Sequence, residues 1–286
     1  MNAINGAFTA VFNLLLAPLE ALGKEFALIM VSGIFGILAL IIFKQISSQE
    51  GIRRTKDQIK AHMIEIRIYQ DDLVLVSQAI GKVLLRNFQY LAFNFGPILP
   101  LLVPFTFVAA QLVTRYAFEP VEVTAESAQL APGAGLMLRV EFSEGKEALA
   151  SGLKVSYPDG VKAISPLVRV PQAGKAYQEF VATAAGTHTI TLELADGTKH
   201  EKTLVAGDTE ARLMQPSRVQ GILSASLWPA EGTLASDGPF SLIAFEYPRS
   251  ELGWLPFSGE LGVLLIFLIA SMAFGAAVLK PLGIAI

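Results

Sequence analysis

Residue types that catalyse reactions or bind metals are sparse in this chain. It has no cysteine and three histidines, and His62 lies far in sequence from His188 and His200. Neither of the latter two has carboxylates at the spacing of a metal site. The sequence also lacks nucleophile-elbow, zinc-protease and phosphate-loop motifs, and acidic pairs such as Glu141 with Glu144 are typical of a solvated surface. We therefore predict that the chain is not an enzyme and needs no metal or cofactor.

The composition favours lipid over water for much of the chain. Mean hydropathy is +0.51, and 52% of residues are hydrophobic while 16% are charged, against about 25% charged in a typical soluble protein. The apolar residues gather in three blocks, whereas residues 117–250 have an ordinary soluble composition. A formal net charge of −3 gives no reason to expect a DNA partner. These features predict an integral membrane protein that also has an aqueous domain.

Three uncharged runs are long enough to cross about 30 Å of hydrocarbon. We predict transmembrane helices at residues 26–46 and 88–115, and a third within 253–286 that is followed by a short tail. The second contains three prolines and is expected to be kinked. In the third, Ser271 and Gly275 form a small-residue face that allows close helix packing.

Lysine and arginine predict the orientation of these helices. The stretch from Lys44 to Arg86, between the first two uncharged runs, has eight basic residues, whereas Lys24 is the only one ahead of the first helix. Short loops rich in basic residues remain in the cytoplasm. The N-terminus and residues 116–252 should therefore lie outside, and the C-terminus inside.

Residues 1–25 lack the basic start of a secretory signal. We predict an interfacial amphipathic helix there, with apolar side chains toward lipid. Those side chains are Phe8, Phe12, Leu15, Leu16 and Leu19.

The cytoplasmic segment, residues 47–87, has the period of an amphipathic helix. Ser47 and Glu50 have capping-box spacing, and Asp71 or Asp72 could cap a second helix and so form an antiparallel hairpin. One long helix is the alternative. The segment could pack on lipid headgroups or a sister subunit, or it could dock a ribosome or nascent chain. The basic residues of this surface are Arg53, Arg54, Lys56, Lys60, Arg67 and Arg86.

The exoplasmic region, residues 116–252, has the period-two alternation of half-buried strands. One such run is centred on Val140 and another on Leu192, and the turn signals are Asp196-Gly197 and residues 157–160. We predict an all-β, immunoglobulin-like sandwich.

The order of these elements resembles the YidC/Oxa insertase superfamily, especially its three-span members in archaea and in the endoplasmic-reticulum membrane complex. Residues 43–73 and 93–113 carry the likeness. The chain also resembles bacterial inner-membrane proteins of the same layout, which implies a bacterial inner membrane as its location. It departs from the superfamily in having a large β domain before the third span and no basic residue inside the uncharged runs, residues 26–43, 88–113 and 261–279.

The resemblance implies an insertase or membrane chaperone with a polar groove open to the cytosol. Nascent membrane proteins and the ribosome would then be partners, together with the lipid bilayer. An accessory subunit of a larger membrane complex is the alternative function. Arg86 could lie at the mouth of the groove. The residues that would line it are Ser32, Gln89, Asn94, Thr106 and Gln111.

Overall fold

The computed structural model describes residues 2–125, 133, 135–208, 213–221, 226–253, 255 and 258–283. The chain divides into two compact units. The helical unit comprises residues 29–106 and 266–286, and the β-sheet unit comprises residues 1–28 and 107–265. Three helical stretches, Lys24–Ile46, Leu73–Tyr116 and Gly259–Leu279, are long and apolar enough to cross a membrane, by length and composition. This agrees with the three predicted spans.

The helices begin and end where the local sequence dictates. Ser48 caps α3 (Gln49–Ile68), since its Oγ accepts from the N–H of Gly51 (3.3 Å). Asp72 caps α4 (Leu73–Phe95), since its Oδ1 accepts from the N–H of Val74 (2.9 Å). The cap of α3 is thus Ser48 and not Ser47 as predicted. The helices are α1 (Asn2–Glu20), α2 (Lys24–Ile46), α3 (Gln49–Ile68), α4 (Leu73–Phe95), α5 (Ile98–Tyr116) and α6 (Gly259–Leu279).

Helices α3 and α4 form an antiparallel hairpin. Gly51, near the start of α3, faces Phe93 near the end of α4, whereas Lys82 Nζ lies 3.4 Å from Glu65 Oε1. Of the two alternatives left by the sequence, the structure has the hairpin. Helix α4 continues past residue 88, where the second span was predicted to begin, and ends at Gly96-Pro97. Gly96 still bonds to Ala92 O, so the chain stays helical up to the proline.

The β-sheet unit contains two open antiparallel sheets. One has the order β3-β5-β1-β9-β8, with β4 also paired to β5, and the other has the order β2-β6-β7. The strands are β1 (Leu136–Phe142), β2 (Lys154–Ser156), β3 (Val161–Ala163), β4 (Val168–Val170), β5 (Lys175–Ala182), β6 (Gly186–Glu193), β7 (Lys199–Ala206), β8 (Ser217–Val219) and β9 (Phe240–Ala244).

The predicted alternation is confirmed in both runs. Val140 and Leu192 are fully buried, and Asp196-Gly197 joins β6 to β7. The turn at residues 157–160 closes through Val161 N and Pro158 O (3.1 Å). The immunoglobulin-like assignment stays a prediction.

A buried ion pair crosses the core of this unit. Lys202 is fully buried, and its Nζ donates to Glu231 Oε1 (2.7 Å) and to Gln215 O (2.6 Å). The ammonium also lies 4.6 Å from the centre of the Phe245 ring. Burial lowers the pKa of Lys202, which its carboxylate partner opposes. The pair therefore ties β7 to the segments around residues 215 and 231.

Helix α1 presents only part of the predicted face to its surroundings. Phe12 and Leu16 of that face are buried, whereas Leu15 is exposed as predicted. Hydrogen bonds between side chains of α1 and α5 hold this rotation of α1. Leu19 is half-buried, and the side chain of Phe8 lies outside the described part.

Candidate functional site

Two helices of the helical unit, α2 and α6, approach closely because small residues lie between them. A Cβ on Gly36 of α2 would fall 2.1 Å from the carbonyl oxygen of Ser271 on α6, and Gly275 lies against Gly36 itself. A Cβ on Gly33 would meet the Phe274 ring at 2.5 Å. The small-residue face predicted from Ser271 and Gly275 is therefore the contact between α2 and α6.

Three phenylalanines, one from each of α2, α5 and α6, pack beside this contact. The ring centres of Phe35 and Phe267 are 5.3 Å apart, and those of Phe105 and Phe267 are 4.8 Å apart. Tilted rings at these distances attract one another beyond their area burial. The cluster holds α5 against the other two helices.

An open groove of about 540 Å³ follows this cluster along the three helices. Ser271 is the only polar side chain in its described lining, and its Oγ donates to Leu268 O (2.9 Å). The groove therefore offers an apolar surface with its one hydroxyl already bonded. Its lining residues are Phe35, Gly36, Ala39, Leu40, Phe43, Ile98, Leu101, Leu102, Phe105, Leu268, Ser271, Met272, Gly275, Ala276 and Leu279.

Two basic residues bond to the turn that follows α6. Lys44 Nζ donates to Leu282 O (2.7 Å), and Arg53 Nη2 donates to Gly283 O (2.9 Å). Cations suit the carbonyl groups near the C-terminus of a helix. Arg53, which was predicted to dock a partner, therefore connects the hairpin to the turn after α6.

The other predicted docking residues lie along the hairpin. Arg54 pairs with Glu50 (3.2 Å) and Lys60 with Asp57 (3.8 Å), and all four side chains are mostly exposed. Such exposed pairs contribute little to stability and remain available to a partner. Arg67 and Lys56 are exposed on α3, while Arg86 on α4 is half-buried and donates to Gln89 Oε1 (2.7 Å).

The five residues predicted to line a polar groove are not brought together. Ser32 is fully buried, Asn94 Nδ2 donates to Tyr90 O and Thr106 Oγ1 to Leu102 O. Gln111 belongs to the β-sheet unit, where Nε2 donates to Thr9 Oγ1 (2.8 Å). Gln89 is exposed on α4. None of the five belongs to the lining of the groove as far as the structure describes it.

The hairpin exposes an extensive apolar surface. At its tip, Ile68 and Leu73 are 66% and 82% exposed, and along α4 the same surface continues through Leu84, Phe88 and Phe95. Exposed apolar area on this scale marks a contact with lipid or with another protein. The inner side is better packed, since Ile52 of the predicted apolar face is fully buried.

Inside the hairpin, one carboxylate joins the two helices. Glu65 accepts from His62 Nδ1 (2.8 Å) on its own helix and from Lys82 Nζ (3.4 Å) on α4. The hydrogen bond from His62, followed by the contact with Lys82, lowers the pKa of Glu65. His62 is thus a structural residue, as its isolation in the sequence suggests.

Arg115 is a buried, hydrogen-bonded residue that the sequence patterns did not single out. It lies in the last turn of α5, is only 5% exposed, and donates from Nη2 to Asn13 Oδ1 of α1. One turn earlier, Gln111 makes the matching contact with Thr9. A signal was available: Gln111 and Arg115 are one helical turn apart, as are Thr9 and Asn13.

Comparison with protein-family models, curated proteins and solved structures finds no significant match to this chain. Its function is therefore inferred from the geometry of the groove and of the hairpin.

Proposed function

We propose that the chain is a membrane-protein insertase or membrane chaperone, in which the groove receives an apolar segment of a client protein. The observation that carries this proposal is the open, apolar groove of about 540 Å³ between α2, α5 and α6. An apolar client helix gains dispersion contacts there, and no buried polar group of the lining is left without a partner. The hairpin, with exposed apolar and basic side chains, would meet the client first.

This role differs in one respect from the resemblance that suggested it. A polar groove would lower the cost of moving hydrophilic groups through hydrocarbon. The described lining instead suits the hydrophobic part of a client, so the chain would hold transmembrane segments rather than conduct polar ones. Depleting the protein should then leave some membrane proteins uninserted or degraded.

A matched pair of variants tests the groove directly. Ala276 lines the groove, whereas its neighbour Ala277 is exposed outside the described lining. Ala276→Phe should fill part of the groove and reduce insertion in a depleted strain, and Ala277→Phe should restore it fully. Equal insertion by both variants would contradict the proposal.

The proposed location is a bacterial inner membrane, with the hairpin in the cytoplasm and the β-sheet unit outside. The basic residues of the hairpin support this orientation. Because the chain has no cysteine, single introduced cysteines can be labelled unambiguously. In intact spheroplasts, an impermeant maleimide should label Asp159→Cys but not Arg67→Cys, and labelling of both would overturn the orientation.

A structural subunit of a larger membrane complex is the second candidate. The exposed apolar surface of α4 favours it, because a permanent partner would cover that surface. Gentle purification distinguishes the two functions. A stoichiometric partner that stays bound through gel filtration supports the subunit, whereas heterogeneous client proteins support the insertase.

A further inference from the structure

A second cavity, of about 660 Å³, lies in the β-sheet unit where its apolar helices end. It is bounded by the last residues of α1 and α5, by residues 118–122, and by Gly207 and Asp208 after β7. Lys24, the first residue of α2, also lines it. We call it the charged cavity.

The described lining of the charged cavity contains both signs of charge, with acid in excess. Lys24 and Arg115 supply the cations. A ligand that is only anionic would be repelled by the acidic majority, whereas one with a cationic and an anionic group could meet both signs. The carboxylates are Glu20, Glu119, Glu122 and Asp208.

Part of this lining is held in place by hydrogen bonds. Tyr116 Oη donates to Glu20 Oε1 (3.0 Å), and Ser250 Oγ lies 3.4 Å from Glu119 Oε1. Arg115 is anchored through Asn13 and is almost fully buried. Glu122, Asp208 and Lys24 are exposed and can adjust to a ligand.

Exposed apolar side chains occur on α1, on the first turn of α2 and in the turn that joins them. Leu22 precedes Lys24 by two residues and is 69% exposed, and Phe26 follows it at 41%. On α1, Leu14 and Leu15 are also exposed. A charged cavity beside exposed apolar helix surface matches an amphiphile, and phospholipid is the amphiphile that a membrane protein meets.

We propose that the charged cavity binds the phosphoethanolamine headgroup of an aminophospholipid. The carboxylates accept hydrogen bonds from the primary ammonium, and Lys24 and Arg115 face the phosphate. The acyl chains lie along the exposed leucines of α1 and the start of α2. This inference rests on the membrane placement in the proposed function, but not on the insertase activity.

The test uses the full-length, delipidated protein in a mild detergent, with thermal unfolding as the readout. Phosphatidylethanolamine should raise Tm saturably. Phosphatidylcholine has the same charges without ammonium N–H donors, and phosphatidylglycerol has no ammonium, so each should raise Tm much less. Equal shifts with all three lipids would overturn the proposal.

A soluble arm separates the lipid from its free headgroup. Glycerophosphoethanolamine should raise Tm more than glycerophosphocholine does. Because the acyl chains add contacts, the soluble headgroup should need a higher concentration than the lipid to produce the same rise in Tm. No preference between these two soluble headgroups would contradict recognition of the ammonium.

Exposed carboxylates allow a variant that should still fold. The double variant Glu122→Gln with Asp208→Asn should need about ten times more phosphatidylethanolamine for half-saturation, which corresponds to about 1.4 kcal/mol. The matched control, Glu144→Gln with Asp159→Asn, neutralises two exposed carboxylates that do not line the cavity and should bind normally. Equal binding by both double variants would place the lipid elsewhere. The Ala276→Phe test concerns a different site, so either proposal can fail alone.

Discussion

Uncharged polar side chains on the apolar helices of the helical unit and buried charged side chains of the β-sheet unit form different kinds of hydrogen bond. In the helical unit, Asn94, Thr106 and Ser271 each bond to a carbonyl three or four residues earlier on their own helix. In the β-sheet unit, Lys202 and Arg115 bond across elements distant in sequence. In the described lining of the groove, the local bond of Ser271 occupies the hydroxyl donor, and the other side chains are apolar. Long-range bonding instead makes charge part of the β-sheet core.

The largest effect should come from breaking the buried ion pair of the β-sheet unit. Glu231→Ala leaves the fully buried Lys202 ammonium without its carboxylate. Removing one partner of a buried pair costs about 3–5 kcal/mol. Denaturant unfolding of the full chain should show this loss. The control is Glu201→Ala, at an exposed position next to Lys202 on β7, which should change stability by less than about 0.5 kcal/mol. A small effect of Glu231→Ala would mean that charge is dispensable in this core.

The next effect should come from separating the helices of the groove. Gly36→Ala places a Cβ against the Ser271 backbone, and overpacking of this kind costs about 1–3 kcal/mol. A Cβ on Gly81 of α4 would have no neighbouring atom within 4 Å. Gly81→Ala should therefore be neutral or stabilise α4 by up to about 1 kcal/mol. Thermal unfolding in detergent would compare them, and equal effects would exclude close packing at Gly36.

The sequence predicts the helices and strands that form these contacts, but not the contacts themselves. Apolar runs and period-two alternation located the three helices that are long and apolar enough to cross a membrane, and the buried strand residues Val140 and Leu192, because both patterns are local. The groove could not be predicted in the same way. Composition shows that Asn94 and Thr106 are polar, but not that each bonds to its own helix. Likewise, 29 residues separate Lys202 from Glu231 in sequence, and only the fold brings them together.

A smaller effect should appear as acid sensitivity of the β-sheet unit. Burial lowers the pKa of His200, and the charge of Arg218 lowers it further, although Asp196 acts in the opposite direction. The folded state therefore binds this proton less readily than the unfolded chain. Its contribution to stability is present above pH 6.5, the ordinary histidine value, and is lost as the pH falls toward the lower folded value.

The variant His200→Gln should remove this part of the pH dependence. Unfolding measured at pH 7.5 and pH 5 should show a smaller acid-induced loss in the variant than in the parent chain. The control is His188→Gln, which removes a histidine on the neighbouring strand and should retain the loss that His200 causes. The same acid-induced loss in His200→Gln as in the parent would exclude His200 as its source.

In the proposed function, client segments bind in the groove and not on the outer surface of the same helices. A photoreactive amino acid at Leu40 of α2 would face the groove, whereas one at Leu38 of the same helix would lie on the exposed surface, 52% accessible. Crosslinking during membrane-protein synthesis should capture nascent apolar segments from Leu40 and not from Leu38. Client crosslinks from both positions alike, or from Leu38 alone, would contradict the account.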